Sequence, residues 1–170
     1  MANFLVLTVI ADDKPGIVEQ LSAAIAKNGG NWLESRMAHM AGKFAGILRI
    51  AIPAEASNAL MADLSALNSS GILVNAEQGS AAGEDASIEL TLNLVGNDRA
   101  GIVKEVSQAL AGMGVNVLEL TTDCASAEMS AVPLFKAEAR LRVPQGFEVD
   151  DLADRLEAIS NDLMVEITLD

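Results

Sequence analysis

A half-length internal repeat is the feature that most constrains the fold of this chain. When the 170-residue sequence is shifted by 85 residues, Leu5–Glu34 aligns with Leu90–Glu119, and 13 of the 30 aligned positions are identical. Identity at that density over one continuous segment indicates a duplicated structural unit rather than shared composition. The sequence therefore predicts two similar domains, although a chain of this length could form a single one.

The boundary between the two copies is predicted at a short segment that reads GSAAGED, Gly79–Asp85. Its residues are small and polar, as those of a flexible linker usually are. We therefore expect a first domain at residues 1–78, a linker at 79–85 and a second domain at 86–170.

The two copies differ in length near their middle. Phe44–Pro53 matches Phe135–Pro144 at a shift of 91 instead of 85, so the second copy carries about six extra residues. Their small and polar character places them within Cys124–Val132, where a longer loop is expected.

Each copy is predicted to fold as strand, helix, strand, strand, helix, strand. Apolar and polar residues alternate in Ile88–Leu94, which is the period of a half-buried strand. The first helix of each copy follows from apolar residues at helical spacing, and Gly29 and Gly114 end these helices. The later strands are expected at 31–39, 44–52, 72–78, 116–124, 134–143 and 163–169, with second helices around 60–67 and 152–159.

The doubled βαββαβ order predicts an α+β fold made of two ferredoxin-like units. In such a unit both helices cover one face of a four-stranded antiparallel sheet. We expect the other face of each sheet to be uncovered within its own unit, and Val6 and Ile10 make that face apolar in the first copy.

Charge and composition exclude several classes of function. The chain has 11 basic and 24 acidic residues, a net charge of -13, which disfavours direct contact with nucleic acid or an anionic membrane surface. No segment is long and apolar enough to span a bilayer. A single cysteine, Cys124, excludes an intramolecular disulfide and fits a reducing cytoplasm, and with His39 as the single histidine we expect neither a metal site nor a cofactor.

The sequence offers no residue constellation for catalysis. Cys124 would need a base, and His39 lies in the other copy, so we expect a buried or incidental thiol. Gly96 and Gly101 have the spacing of a phosphate-binding loop, but Ile102 and Val103 follow where Lys and Ser or Thr would be required. We therefore expect a non-enzymatic protein.

The turn between the first strand and the first helix is the most informative local motif. It reads DDKPGIV at Asp12–Val18 and NDRAGIV at Asn97–Val103. Unpaired N–H groups and the positive dipole end of a helix N-terminus can bind a small carboxylate, and Gly16 and Gly101 would permit close backbone approach.

A purely structural interpretation of the same residues is also open. Asp13 and Asp98 would then be helix N-caps, and Pro15 would occupy a first helical turn. Asn31 and Asn116, which open the second strands, could bind a ligand through their amides or simply stabilise a turn.

Three basic residues share one face of a predicted strand in the second copy. Lys136, Arg140 and Arg142 alternate there with apolar residues, and Glu138 interrupts the row. This face could dock an acidic partner, or it could be an ordinary solvated outer face.

Together these features resemble the ACT domain, a small amino-acid-sensing module, in two copies that cover essentially the whole chain. The resemblance rests on the two glycine turns, on the N-W-L-E and N-V-L-E motifs that begin at Asn31 and Asn116, and on the doubled βαββαβ order. Two such units without a catalytic domain are similar to the glycine cleavage system transcriptional repressor family. The resemblance implies a cytoplasmic regulator of glycine and one-carbon metabolism that binds a small amino acid, glycine or serine, and represses through a LysR-type DNA-binding activator protein.

The resemblance also implies where the ligand binds. ACT modules bind ligands where two units meet, at the first turn and the adjoining second strand, and either a homodimer or one chain could supply the pairing. Ala100 replaces Pro15 in the second copy, so the two sites need not have equal affinity. The implied residues are Asp13, Lys14, Pro15, Gly16, Ile17, Val18 and Asn31, and in the second copy Asp98, Arg99, Ala100, Gly101, Ile102, Val103 and Asn116.

Two other functions share this fold and remain open at the level of sequence. The chain could be the ACT regulatory subunit of a separate enzyme of amino-acid metabolism, which would bind the same ligands. It could also be a structural pairing module whose turns bind nothing.

Overall fold

A computed structural model describes residues 1–80, 87–125 and 132–170, and it divides the chain into two compact units, Met1–Gly83 and Glu84–Asp170. Most of the predicted linker, residues 81–85, lies outside the described part of the chain. Gly79 lies inside it and donates its N–H to the carbonyl of Phe4 at 2.8 Å. The start of that segment is therefore still tied to the first strand.

The first unit has the predicted βαββαβ order. Its sheet has the strand order β2-β3-β1-β4, with antiparallel neighbours throughout. Short 3-10 turns flank the second helix on both sides. The elements are β1 Ala2–Asp12, α1 Ile17–Lys27, β2 Asn31–Met40, β3 Lys43–Pro53, α2 Ser57–Ala66 and β4 Leu73–Gln78.

The second unit repeats this topology, with the strand order β6-β7-β5-β8. The α+β prediction of two four-stranded antiparallel units is confirmed. The elements are β5 Ile88–Asn97, α3 Ile102–Gly112, β6 Asn116–Ala125, β7 Leu134–Val143, α4 Val149–Glu157 and β8 Met164–Leu169.

The difference in length between the copies falls between β6 and β7. The start of β6 follows that of β2 at a shift of 85, and the start of β7 follows that of β3 at a shift of 91, a difference of six residues. Within the predicted segment 124–132, Cys124 and Ala125 belong to β6, and residues 126–131 lie outside the described part.

Each unit has its own aliphatic core on the helix-covered face of its sheet. In β1 every second residue from Leu5 to Ala11 is buried, and Leu7 and Val9 belong to the same core cluster as Leu21 and Ile25 of α1. Burial of one such side chain contributes about 1.5–3 kcal/mol to folding. Leu60 of α2 joins this cluster, so both helices pack on the same face. This packing fixes the position of each strand-to-helix turn at one end of its sheet.

Candidate ligand-binding turns

The turn that joins β1 to α1 depends on a glycine in the left-handed backbone region. Gly16 has φ +95° and Gly101 has φ +87°, which other residues adopt only with strain. A Cβ at Gly16 would approach only Gln20 Nε2, at 3.8 Å, and a Cβ at Gly101 would have no heavy atom within 4 Å. Backbone conformation, not crowding, therefore requires glycine at both positions.

The interpretation of Asp13 and Asp98 as helix N-caps is wrong. The N-cap residues are Gly16 and Gly101, and neither helix has a side-chain hydrogen bond at its N-cap. Pro15 likewise precedes the N-cap instead of lying in the first helical turn. The left-handed glycine adds a reversal between the aspartate and the helix, which separates the carboxylate from the capping position.

The main chain of each aspartate is instead bonded across the sheet end. Asp13 donates its N–H to the carbonyl of Gly42 at 3.0 Å, and Asp98 donates its N–H to the carbonyl of Pro133 at 2.9 Å. These bonds hold the beginning of each turn against the segment that precedes β3 or β7. Both bonds use the main chain, so the aspartate carboxylates take no part in them.

The first turn of each helix presents backbone N–H groups toward the turn. The N–H of Gln20 donates to the carbonyl of Gly16 at 3.0 Å, and that of Glu105 donates to Gly101 at 3.0 Å. The N–H groups before these residues have no acceptor four residues earlier within the helix, and the dipole adds partial positive charge. Such a helix end can accept a carboxylate.

The basic residues of the two turns have different partners. Lys14 Nζ donates to the carbonyl of Ser70 at 2.8 Å, whereas Arg99 pairs with Glu105 of α3. The Arg99 guanidinium lowers the pKa of Glu105 through a hydrogen bond and through its charge. The two turns are thus topologically equivalent but electrostatically different.

The first turn lines a surface cavity of about 210 Å³. Five residues of the predicted ligand site line this cavity. Glu19 and Phe44 also line it, and the sequence did not predict these two. A sequence signal for Phe44 exists, because Phe44 and Phe135 are identical residues at the start of the matched segments Phe44–Pro53 and Phe135–Pro144. Phe44 pairs with Ala11, so it lies at the same end of the sheet as the turn. The lining residues are Asp13, Lys14, Gly16, Ile17, Val18, Glu19 and Phe44.

The structure does not bring Asn31 to the turn of its own unit. Asn31 pairs with Ala51, which pairs with Phe4 near the start of β1, whereas the turn follows Asp12 at the other end of that strand. Eight residues of strand separate these ends, roughly 26 Å at about 3.3 Å per residue. Asn31 lines a separate cavity of about 300 Å³ near Pro53.

Asn116 has the same placement in the second unit. It pairs with Arg142, which pairs with Glu89 at the start of β5, while the second turn follows Asn97. Within one unit, therefore, the asparagine and the glycine turn occupy opposite ends of the sheet.

A titratable side chain of the second strand lies beside the aspartate of each turn. His39 Nδ1 is 3.8 Å from Asp13 Oδ2, and the repeat equivalent of His39 is Cys124. Cys124 is exposed, and partial desolvation together with the Asp98 carboxylate raises the pKa of its thiol. A raised pKa keeps the thiol protonated, which argues against a nucleophilic role.

The basic row on β7 lies on the outer face of the second sheet. Arg140 donates to Glu89 at 2.8 Å and to Glu119 at 3.1 Å, and Arg142 lies 3.6 Å from Glu89. Lys136 is exposed on the same face. Two of the three basic side chains are thus paired with acids of their own sheet, which favours a solvated face over a docking strip for an acidic partner.

Several acidic side chains of the described residues form ion pairs and hydrogen bonds. Asp63, for example, accepts hydrogen bonds from Asn28 and Lys27, and both lower its pKa.

No group of three His, Cys, Asp or Glu side chains within residues 1–80, 87–125 and 132–170 could hold a metal ion. In the same part of the chain, no helix is long and apolar enough to cross a membrane.

Comparison with known proteins shows similarity to one family in the first unit and to two solved structures over the whole chain. The ACT domain family model matches residues 3–75. A solved protein of unknown function from Galdieria sulphuraria is 26% identical with a TM-score of 0.82, covering 100% of this chain and 99% of its own. A candidate glycine cleavage system transcriptional repressor, 16% identical with a TM-score of 0.70 over 100% and 99% of the two chains, shares the fold. No curated protein sequence matches significantly. Residues 3–75 are therefore similar to the ACT domain, and the second unit repeats the fold of the first.

Proposed function

We propose that the protein is a non-enzymatic regulator that binds a small amino acid at its strand-to-helix turns. The observation that carries the proposal is the cavity of about 210 Å³ at the first turn, where a helix N-terminus and the Asp13 carboxylate line the same space. This volume is below the roughly 300 Å³ at which pockets for drug-sized ligands begin, which favours a ligand of few heavy atoms such as glycine or serine.

The two charged ends of an amino acid have complementary groups at this turn. The N–H groups of Ile17 and Val18 are suited to its carboxylate, because they lie at the positive end of the α1 dipole. The Asp13 carboxylate is suited to the ammonium group of the ligand, since it makes no hydrogen bond to the N-terminus of α1 that binding would break. Lys14 bonds the carbonyl of Ser70 and thereby holds the turn in place.

The regulatory output is proposed to pass through a DNA-binding protein. A net charge of -13 opposes contact with phosphates but suits contact with a basic protein. The fold shared with a candidate glycine cleavage system transcriptional repressor supports the same role. In this proposal the protein acts in the cytoplasm on a LysR-type activator of glycine and one-carbon metabolism.

Calorimetry of the full chain against glycine, serine and the other proteinogenic amino acids tests the ligand proposal. Asp13→Asn preserves shape and removes the charge, so it is expected to weaken binding about tenfold or more, the usual effect of losing a charge-assisted hydrogen bond. Glu77→Gln, on the exposed strand β4, is the matched control and is expected to bind normally. Equal affinities of Asp13→Asn and the control would contradict the placement of the site.

A further inference from the structure

A third cavity lies in the interior of the second unit, between α3 and the edge strand β6. It measures about 60 Å³, well above the roughly 10–15 Å³ that one water molecule needs. Its walls are mostly apolar, with Phe135 as the one aromatic residue among those lining it, and one of its two hydroxyls, that of Ser107, already donates to the carbonyl of Val103. The lining can therefore surround an apolar group with apolar contacts, whereas it gives a water molecule few hydrogen-bond partners.

The internal repeat shows what occupies this place in the first unit. The positions equivalent to Val117, Thr122 and Ala139 of the cavity wall hold larger side chains there, Trp32, Met37 and Leu48. Trp32 and Met37 pack against the first core, and Leu48 is only 1% exposed. The first unit thus fills with its own side chains the space that the second unit leaves open.

In the first unit β2 and β3 approach each other closely beside that filling. A Cβ at Gly46 would clash with the Arg36 carbonyl oxygen and come within 2.5 Å of Met37 Cγ and 2.8 Å of Met37 Cα, so the backbone of β2 as well as the Met37 side chain requires glycine there. The second unit has Ala137 opposite Thr122 at these positions, so it lacks both the large side chain and the glycine.

The compensating change in the second unit does not close the cavity. Leu120 replaces Ser35, but its side chain is 53% exposed and forms part of the outer wall. Val103 and Val117, also in the wall, are 45% and 40% exposed. A ligand can therefore reach the cavity from solvent past these three side chains.

We propose that this cavity is a binding site for a small uncharged aliphatic group. No charged side chain lines it, so a charged group would be buried without a partner. Its volume is smaller than the roughly 150 Å³ of a cavity known to admit benzene, which favours a short branched hydrocarbon over an aromatic ring.

Two sources can supply such a group. It can belong to a free small molecule, or it can be the side chain of an aliphatic amino acid whose charged end lies at the second turn, because Val103 belongs both to that turn and to the cavity wall. The second source rests on the proposed function, whereas the preference of the cavity for aliphatic groups does not.

The test uses the full chain with labelled methyl groups, titrated with xenon and with isobutanol in NMR spectra. Saturable shifts are expected at the methyls of Val103, Val117 and Leu120. Val18, the repeat equivalent of Val103, is the internal control and is expected to stay unshifted, because Trp32 and Met37 fill its side of the first unit.

Variants exchange the residues of the two units. Ala139→Leu places the side chain of the first unit in the cavity and is expected to raise the half-saturating xenon concentration about tenfold or more. Thr122→Met, at an exposed position, is the second variant if Ala139→Leu folds poorly. The reciprocal change Met37→Thr is expected to open a site in the first unit, so that xenon also shifts Val18. Thermal melting of each variant without ligand checks its fold.

A leucine titration distinguishes the two sources, since leucine and isobutanol share the isobutyl group. Saturation by leucine at a concentration at least about tenfold lower indicates an amino acid held at the turn, and equal or weaker binding indicates a free molecule. Either result leaves the cavity proposal standing.

The proposal is overturned if xenon gives no saturable shift at the cavity methyls, or if folded Ala139→Leu and Thr122→Met both respond like the wild type. Failure of glycine or serine binding at the first turn would leave the xenon result unchanged, so the two proposals fail separately.

Discussion

Asp13 lies beside His39 in the first unit, with 3.8 Å between Oδ2 and Nδ1, and the same two positions of the repeat hold Asp98 and Cys124. The aspartate is thus common to both turns, whereas its neighbour from the second strand is an imidazole in one unit and a thiol in the other. Backbone turns of similar conformation therefore present different chemistry, and Ala100 in place of Pro15 adds to the difference.

The thiol of Cys124 is expected to react slowly with alkylating reagents. Partial desolvation and the Asp98 carboxylate raise the pKa of the thiol, so less thiolate is present near neutral pH than in a free cysteine. Asp98→Asn removes one cause and should accelerate modification by iodoacetamide at pH 7.5, followed by mass spectrometry. Asp151→Asn, in the first turn of α4, is the control and should leave the rate unchanged. Equal rates for both variants would show that Asp98 does not influence the thiol.

Stability is expected to fall in acid as paired carboxylates become protonated. A hydrogen bond from Arg140 lowers the pKa of Glu89 in the folded state, as one from Lys43 does for Asp12. Because the folded pKa is the lower one, the stabilisation is present above the unfolded pKa and is lost on acidification, mainly between about pH 5 and pH 3. Urea denaturation at pH 7 and pH 3.5 should show a smaller difference for Glu89→Gln than for the wild type. Glu138→Gln, on the same outer face, should retain the wild-type difference, and no change in Glu89→Gln would contradict the assignment.

Gly101→Ala is expected to destabilise the second unit although there is room for the added methyl group. The cost, about 1 kcal/mol or more, comes from placing alanine at φ +87°. Gly112→Ala is the matched control, because Gly112 lies at the end of α3 and its Cβ would meet only Arg155, at an ordinary 3.7 Å. The control should be neutral or gain up to about 1 kcal/mol in chemical denaturation. A neutral Gly101→Ala variant would mean that the turn tolerates other conformations.

The first unit alone is expected to self-associate. The outer face of its sheet carries exposed apolar side chains, and Ile10 pairs with Leu73 while Ile47 lies on the neighbouring strand, 53% exposed. A fragment of residues 1–78 should sediment as a dimer or a larger species, because this face has no helices over it. Ile47→Thr in the same fragment should reduce the association. A monomeric wild-type fragment at high concentration would refute the expectation.

The purified chain is expected not to bind DNA specifically at physiological salt. With 11 basic residues against 24 acidic ones, no continuous basic face is expected to compensate the net charge of -13. In gel-shift experiments a complex should form only when a LysR-type activator is added. A specific shift at nanomolar concentrations of the chain alone would contradict both this expectation and the proposed indirect mode of repression.

The sequence by itself determined the architecture of the protein. The 85-residue repeat predicted two units, and alternation in segments such as Ile88–Leu94 predicted their strands, because a buried sheet face requires every second residue to be apolar. The predicted range of β7, 134–143, agrees with the structure at both ends, and most other elements differ by one or two residues. Local patterns suffice here, since each strand and helix is specified mainly by its own apolar residues.

Only the tertiary structure decided what the conspicuous residues do. Asp13 was compatible with a helix cap until the backbone at Gly16 proved left-handed, and a sequence does not specify φ. Asn31 follows the first helix closely in sequence, yet the antiparallel register places it at the opposite end of the sheet from the turn. The cavity beside Val117 depends on side chains from four elements, β5, α3, β6 and β7, that meet only in the folded unit. These outcomes are set by long-range pairing and packing, which the order of residues along the chain does not reveal on its own.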